Sequence, residues 1–159
     1  MPDLLVKLYD LNFEMYRKEY FNTEIKIIRV LPSDKTKVIE FVRKKFNDNW
    51  ASECERSFSK VPISCFIAVK NKKIIGFACY DVTARGYFGP IGVQPTEREK
   101  GVGTKLLYSC LRDMWDSEYG YAIIGWANEN EIDFYKKAVL ATVIPESSPG
   151  IYKRMLEKS

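Results

Sequence analysis

Histidine is absent from the 159-residue chain. A proton-transfer group must therefore be Asp, Glu, Tyr, Cys, Lys or water, and Ser–His and Cys–His nucleophilic mechanisms are excluded. Closely spaced cysteines are lacking too. Cys54, Cys65, Cys79 and Cys110 stand well apart, without the short spacings of zinc sites or redox motifs. They read as small core residues in a reducing cytoplasm, and no metal is expected. No apolar run approaches a membrane span. Met1-Pro2-Asp3 lacks the basic segment and following apolar stretch of a signal peptide. There is no basic block interleaved with aromatics, no repeat and no low-complexity tract. The net charge of +4 is mild; it suits an anionic ligand and is too diffuse to argue for nucleic acid.

What the chain has is a core. Its 46% hydrophobic and 14% aromatic content is enough for one globular domain. Residues 4–11 read as either an extended segment or a short helix, and residues 14–20 as helical; residues 1–24 are set apart as an N-terminal extension of a domain spanning 25–159. Residues 25–30 alternate and are β-branched, so a strand is expected. Ser33 or Asp34 is expected to cap a helix with Val38, Phe41, Val42 and Phe46 on one face. A second short helix carries Trp50, Cys54 and Phe58 four residues apart. It reads as an apolar face among solvated charges, or as one wall of a substrate pocket.

Residues 64–69 and 74–81 flank a polar turn and predict a hairpin. The strand from Tyr87 to Gln94 is interrupted by Gly89, Pro90 and Gly92, a sign of a bulge or of close approach by a ligand. Val102, Leu106, Leu107, Cys110, Leu111 and Met114 keep helical spacing. Residues 121–126 predict a strand buried on both faces, residues 131–138 a helix, and residues 142–144 and 151–156 the last two strands. The order is that of an α/β fold with a largely antiparallel front half.

The turn before the long helix reads Arg98-Glu99-Lys100-Gly101-Val102-Gly103-Thr104. Unpartnered N–H groups and the helix dipole make such a place an anion site, and glycines let a phosphate approach the backbone. Two glycines are equally what a tight loop requires. A dinucleotide fingerprint would need a third glycine where Leu106 stands, and a Walker A loop would need Gly-Lys-Ser/Thr.

Arg98-x-x-Gly101-x-Gly103 resembles the acyl-CoA signature of the GCN5-related N-acetyltransferases (the GNAT family). Asn128 followed by Phe134-Tyr135-Lys136-Lys137 is similar to a second motif of that family, in the expected order and spacing. Together they cover about residues 25–156. The resemblance implies a single-domain GNAT fold, with a mixed, mostly antiparallel sheet flanked by helices and splayed at the fourth strand counted from Ile25. It implies an acetyl-CoA-dependent N-acetyltransferase without a metal, acting on a small-molecule amine or a protein or peptide amine. A non-catalytic acyl-CoA sensor of the same fold is the alternative. A homodimer is compatible with the family.

By the same resemblance, backbone groups of Ile91 and Val93 pair with the pantetheine arm, and the Val93 N–H faces the thioester carbonyl. Amides from Arg98, Glu99, Lys100, Gly101, Val102, Gly103 and Thr104 cradle the pyrophosphate. Asn128 touches the pantetheine or acetyl end, and Tyr135 protonates the leaving thiolate; without the motif, Tyr135 reads as a core aromatic beside Phe134. Glu53, Glu55 and Asp81 are the candidates for the base that receives the amine's proton. Two departures stand out. Ala138-Val139-Leu140-Ala141 occupies the place of the family's Gly-Phe, and Glu97 and Glu99 must point outward if phosphate binds beside them.

Overall fold

The computed structural model describes residues 1–14, 24–98 and 101–157. Glu99 and Lys100, and nearly all of the helix expected over 14–20, lie outside the described residues. Among the described residues, seven strands form one sheet: β1 Leu4–Lys7, β2 Ile25–Arg29, β3 Cys65–Lys70, β4 Lys73–Tyr80, β5 Tyr87–Val93, β6 Tyr121–Ile124 and β7 Thr142–Val143. Their order is β2-β3-β4-β5-β6-β1-β7, and every pairing is antiparallel except β5 with β6.

Among the described residues, four helices flank it: α1 Lys35–Lys45, α2 Asp48–Ser57, α3 Val102–Asp116 and α4 Glu129–Val139. α1 follows a short 3-10 turn, Pro32–Asp34. Asp34 stands at its N-cap, but its side chain makes no capping bond. Asn47 caps α2 by accepting from the Trp50 N–H at 2.8 Å. The β3–β4 hairpin turns through Asn71 and Lys72, both at positive φ, the pairing that matches strand twist in a tight hairpin.

The sheet carries a core on each face. Against one face, all six periodic residues of α3 are buried beside Leu4, Val6, Leu8 and Ala122. Against the other, α1 and α2 bury Val38, Val42, Ala51 and Cys54 on Cys65, Ile67, Phe77 and Cys79. Strand alternation decides which side each residue joins. The ends of α3 are anchored differently. Near its C-terminus, Asp113 accepts a two-pronged bond from Arg29 on β2, at 2.7 and 3.1 Å, and another from the Tyr80 hydroxyl on β4.

The sheet differs from the sequence reading at both ends of the chain. Residues 4–10 are strand and then 3-10 helix, with β1 paired to β6 on one side and β7 on the other. Part of the segment set apart as an extension is thus an inner strand. Residues 151–156 do not form a final strand. Gly150–Arg154 is a 3-10 helix, because β1 already holds the place beside β6 through four paired positions. β6 is exposed at Tyr121 rather than buried throughout.

Candidate active site

The bulge expected in β5 is present. Tyr80 pairs with Phe88 and Ala78 with Ile91, so Gly89 and Pro90 together stand opposite Cys79. Gly89 has φ +118°, a conformation open to glycine. Past the bulge, Gln94 N–H donates to Ile75 C=O at 2.9 Å, in the register that pairs Gly92 with Phe77. Antiparallel pairing alternates, so the N–H groups of Ile91 and Val93 turn away from β4.

They find no strand on that side. β6 pairs with β5 only at Tyr87↔Ile123 and Phe88↔Ile124 among the described residues, and the two strands then part. The sheet is splayed at the expected strand, and the splay exposes donors in a row. Phe46 keeps β5 flat against the opposite core. A Cβ on Gly92 would lie 2.5 Å from the Phe46 ring.

The splay leads to the glycine turn. Gly101, at φ +76°, is the N-cap of α3. Lys105 N–H donates to Gly101 C=O at 3.1 Å, and the amides of Val102, Gly103 and Thr104 before it are the first-turn donors of the helix. The Val102 side chain is buried in the core, so only its amide is available. Around Gly103 a Cβ would meet nothing nearer than Val93 Cγ2 at 4.0 Å. The Arg98 guanidinium folds back, its Nε donating to Val93 C=O at 3.0 Å; this ties the turn to the splayed strand. Glu97 does not point outward as expected. It is buried and paired with Lys70 at 3.2 Å, which neutralises one anion near the turn.

At its other end the splay opens into a cavity of about 370 Å³. One wall is α2 with Trp50 and Glu53; another is the β5 bulge; the third is α4 with Asn128, Glu131 and Tyr135. Asn128 starts α4 through a reciprocal cap. Its side-chain oxygen accepts from Glu131 N–H at 2.9 Å, and the Glu131 carboxylate accepts from Asn128 N–H at 3.2 Å. The Asn128 oxygen is thereby committed to structure. Tyr135 is buried, edge-on to Phe88 and Phe134. Burial, aided by the charge of Glu131, raises its pKa above the ordinary tyrosine value, so it stays a phenol. Leu140 ends α4 at φ +57°, doing in strained form what glycine does at this position in other helices.

Of the three acidic candidates, one lies at the cavity. Glu53 accepts a hydrogen bond from the Thr83 hydroxyl, and burial raises its pKa against the lowering effect of that bond. Glu55 is an exposed partner of Lys35. Asp81 holds a turn, accepting from Gly86 N–H at 2.7 Å and the Tyr119 hydroxyl at 2.5 Å.

Sequence reasoning missed Tyr152 and Asp3 at the floor of the cavity. Trp126 and Tyr152 stack there at 4.5 Å and 9°. Asp3 accepts from Trp126 N–H at 3.1 Å and from the Tyr87 hydroxyl at 3.3 Å, holding Trp126 at φ +56°. Nothing in the spacing of Asp3, Thr83 or Tyr152 announces this meeting.

A mixed sheet splayed beside a bulged strand, feeding the glycine-started end of a helix, defines an acyltransferase architecture of the GNAT type. The sequence model of the Acetyltransferase (GNAT) family matches residues 12–139, and the chain belongs to that family. Solved structures agree on the fold at low identity. A GCN5-related glucosamine N-acetyltransferase region of a fungal multi-domain GH3 β-N-acetylglucosaminidase superposes with TM-score 0.72 at 15% identity, over 90% of this chain and 19% of that one. A GCN5-related N-acetyltransferase from Sphaerobacter thermophilus gives 0.66 at 16%, over 90% and 48%. An aminoglycoside acetyltransferase from an uncultured soil metagenomic sample, in complex with trehalose, gives 0.56 at 18%, over 74% and 88%. The chain thus spans about a fifth of the fungal protein and about half of the Sphaerobacter one. No curated protein matches the sequence.

Proposed function

We propose that the protein transfers the acetyl group of acetyl-CoA to a primary amine on a small cationic acceptor. One observation carries the reading. A strand with two outward N–H groups, Ile91 and Val93, runs from the open side of Gly103, where a Cβ would meet nothing nearer than 4.0 Å among the described residues, to a cavity lined by both Glu53 and Tyr135.

Each residue then has a task. The first-turn amides of α3 receive the pyrophosphate. The acceptor enters the cavity as an ammonium ion and loses its proton to Glu53. Its nitrogen attacks the thioester carbon, and charge grows on the carbonyl oxygen. The Val93 N–H donates to that oxygen, a contribution of roughly 3 kcal/mol for a fixed donor of this kind. The carbon–sulfur bond breaks, the Tyr135 phenol gives its proton to the departing thiolate, worth about 100-fold or more, and the second proton that the nitrogen loses in becoming the amide restores the phenol.

The cavity lining supports a cationic acceptor. It includes Glu53 and Glu131 and, among the described residues, no Lys or Arg. The stacked Trp126–Tyr152 pair offers a flat face to a ring or an ammonium group.

Donor binding is tested with Gly103→Val. Open space around Gly103 means that the added side chain leaves the free protein folded but fills the gap. Acetyl-CoA at one hundred times its Kd stabilises the wild type by about 2.7 kcal/mol, a rise of roughly 5–11 °C in Tm for a chain this size. The expected result is that rise in the wild type and none in Gly103→Val. No rise in the wild type at millimolar acetyl-CoA refutes the donor; equal rises in both proteins refute its placement.

A further inference from the structure

The cysteines that stand apart in sequence meet in space. Cys65 and Cys79 face each other across β3 and β4, and α2 lays Cys54 over the same face. The three Sγ atoms all lie within 4.8 Å of one another, and the three side chains are fully buried. An ion held about 2.3 Å from each of three sulfurs spreads them about 4 Å apart, a distance reached here by small side-chain adjustments. The surroundings are apolar: Val38, Val42, Ala51, Ile67 and Phe77 belong to the same cluster. The fourth cysteine, Cys110, is buried in the core on the opposite face of the sheet.

We propose that Cys54, Cys65 and Cys79 form a binding site for a soft, thiophilic, trivalent ion held by three sulfurs. The charge of the occupant follows from the burial. Three thiolates around a divalent ion leave a net negative charge in a dry core, which is costly. A divalent zinc ion would also want a fourth ligand; the chain has no histidine, and among the described residues no carboxylate joins the set. A trivalent centre with three thiolates is neutral and needs no fourth ligand.

Arsenite, As(OH)3, is the probe of this class. Three As–O bonds are exchanged for three As–S bonds, and the three thiol protons leave with the three hydroxides as water. No electron is transferred. The site lies behind the cavity wall. Cys54 adjoins Glu53 on α2, and Cys79 is the residue opposite the β5 bulge. An ion there fastens α2 to the strand edge that shapes the cavity. This inference stands independently of the acetyl-transfer reading.

Burial calls for loading during folding. The full chain is unfolded under reductant, refolded with arsenite and freed of excess. Native mass spectrometry then reads the adduct, and thiol titration after unfolding counts what remains. The expected result is one arsenic less three hydrogens per folded chain, one titratable thiol left, and a raised Tm. Cys110→Ala keeps the adduct and leaves no titratable thiol, while Cys54→Ala, Cys65→Ala and Cys79→Ala each lose the three-sulfur adduct. A refolded wild type without arsenic overturns the proposal, as does an adduct that consumes two thiols or one found only on unfolded protein. The wild-type stoichiometry decides the matter even where a variant fails to fold.

Discussion

Replacing Glu53 by Gln separates its chemistry from its structure. Gln keeps the side-chain size and an oxygen to accept the Thr83 hydroxyl, so the wall of the cavity stays in place. What goes is the negative charge and the ability to take a proton. The structure predicts the sign of the pH effects. Burial raises the Glu53 pKa more than the Thr83 bond lowers it, so the carboxylate ionises above the ordinary carboxylate range. In the wild type, kcat/KM for acetyl transfer therefore climbs with pH through that raised pKa.

In Glu53→Gln that acid limb disappears, and the plateau drops by about 100- to 10,000-fold, the usual worth of a positioned base, or roughly 3–5 kcal/mol. Thr83→Val removes the one bond that favours the charged form, so its acid limb moves to higher pH. Stability gives a second sign. The folded state holds the Glu53 proton more tightly than the unfolded state does. The contribution is complete below the unfolded pKa and is lost as pH rises through the folded one; Glu53→Gln lacks this loss. The assay is thiol release across pH, with thermal unfolding in the same buffers. A Glu53→Gln protein that retains the acid limb, or loses less than tenfold in activity, refutes the assignment of the base.

Two further outcomes test the frame of the site. Gly92→Ala puts a Cβ 2.5 Å from the Phe46 ring, which is itself packed by Phe41, Trp50 and Phe77; overpacking costs about 1–3 kcal/mol, read as a lower Tm, and Phe46→Leu restores part of it. Leu140→Gly relieves a left-handed residue that is 65% exposed; a penalty of roughly 1–2 kcal/mol is removed against Gly's entropic cost of roughly 0.5–1, so Tm rises by a few degrees, and a fall would show that Leu140 packs in a way its exposure does not reveal.

The parts of the site that were legible in sequence are those set by local backbone chemistry. Gly101 and Gly103 mark the start of α3, and Gly89-Pro90 marks the bulge. Each is a short-range rule that the rest of the fold leaves intact. The unread parts depend on which long-range pairing wins. The segment 151–156 looks like an edge strand, but β1 holds the place beside β6, so Tyr152 is released to stack on Trp126 over the cavity. Among Glu53, Glu55 and Asp81, sequence proximity could not choose; two residues, about half a turn of α2, send Glu53 to the cavity and Glu55 to solvent. The cysteine cluster was invisible for the same reason. It is made by the β3–β4 register and by α2 packing, not by spacing.

The central claim is that Tyr135 serves acetyl transfer rather than packing alone. Its ring lies against Phe88 and Phe134, so Tyr135→Phe keeps the fold and the acetyl-CoA-induced rise in Tm. The decisive measurement is release of CoA thiol from acetyl-CoA with a panel of primary amines, wild type against Tyr135→Phe. The account predicts amine-dependent release by the wild type and a loss of about 100-fold or more in the variant. Binding of acetyl-CoA with no amine-dependent release would make the protein a sensor of the same fold, and equal release by both proteins would remove Tyr135 from the chemistry.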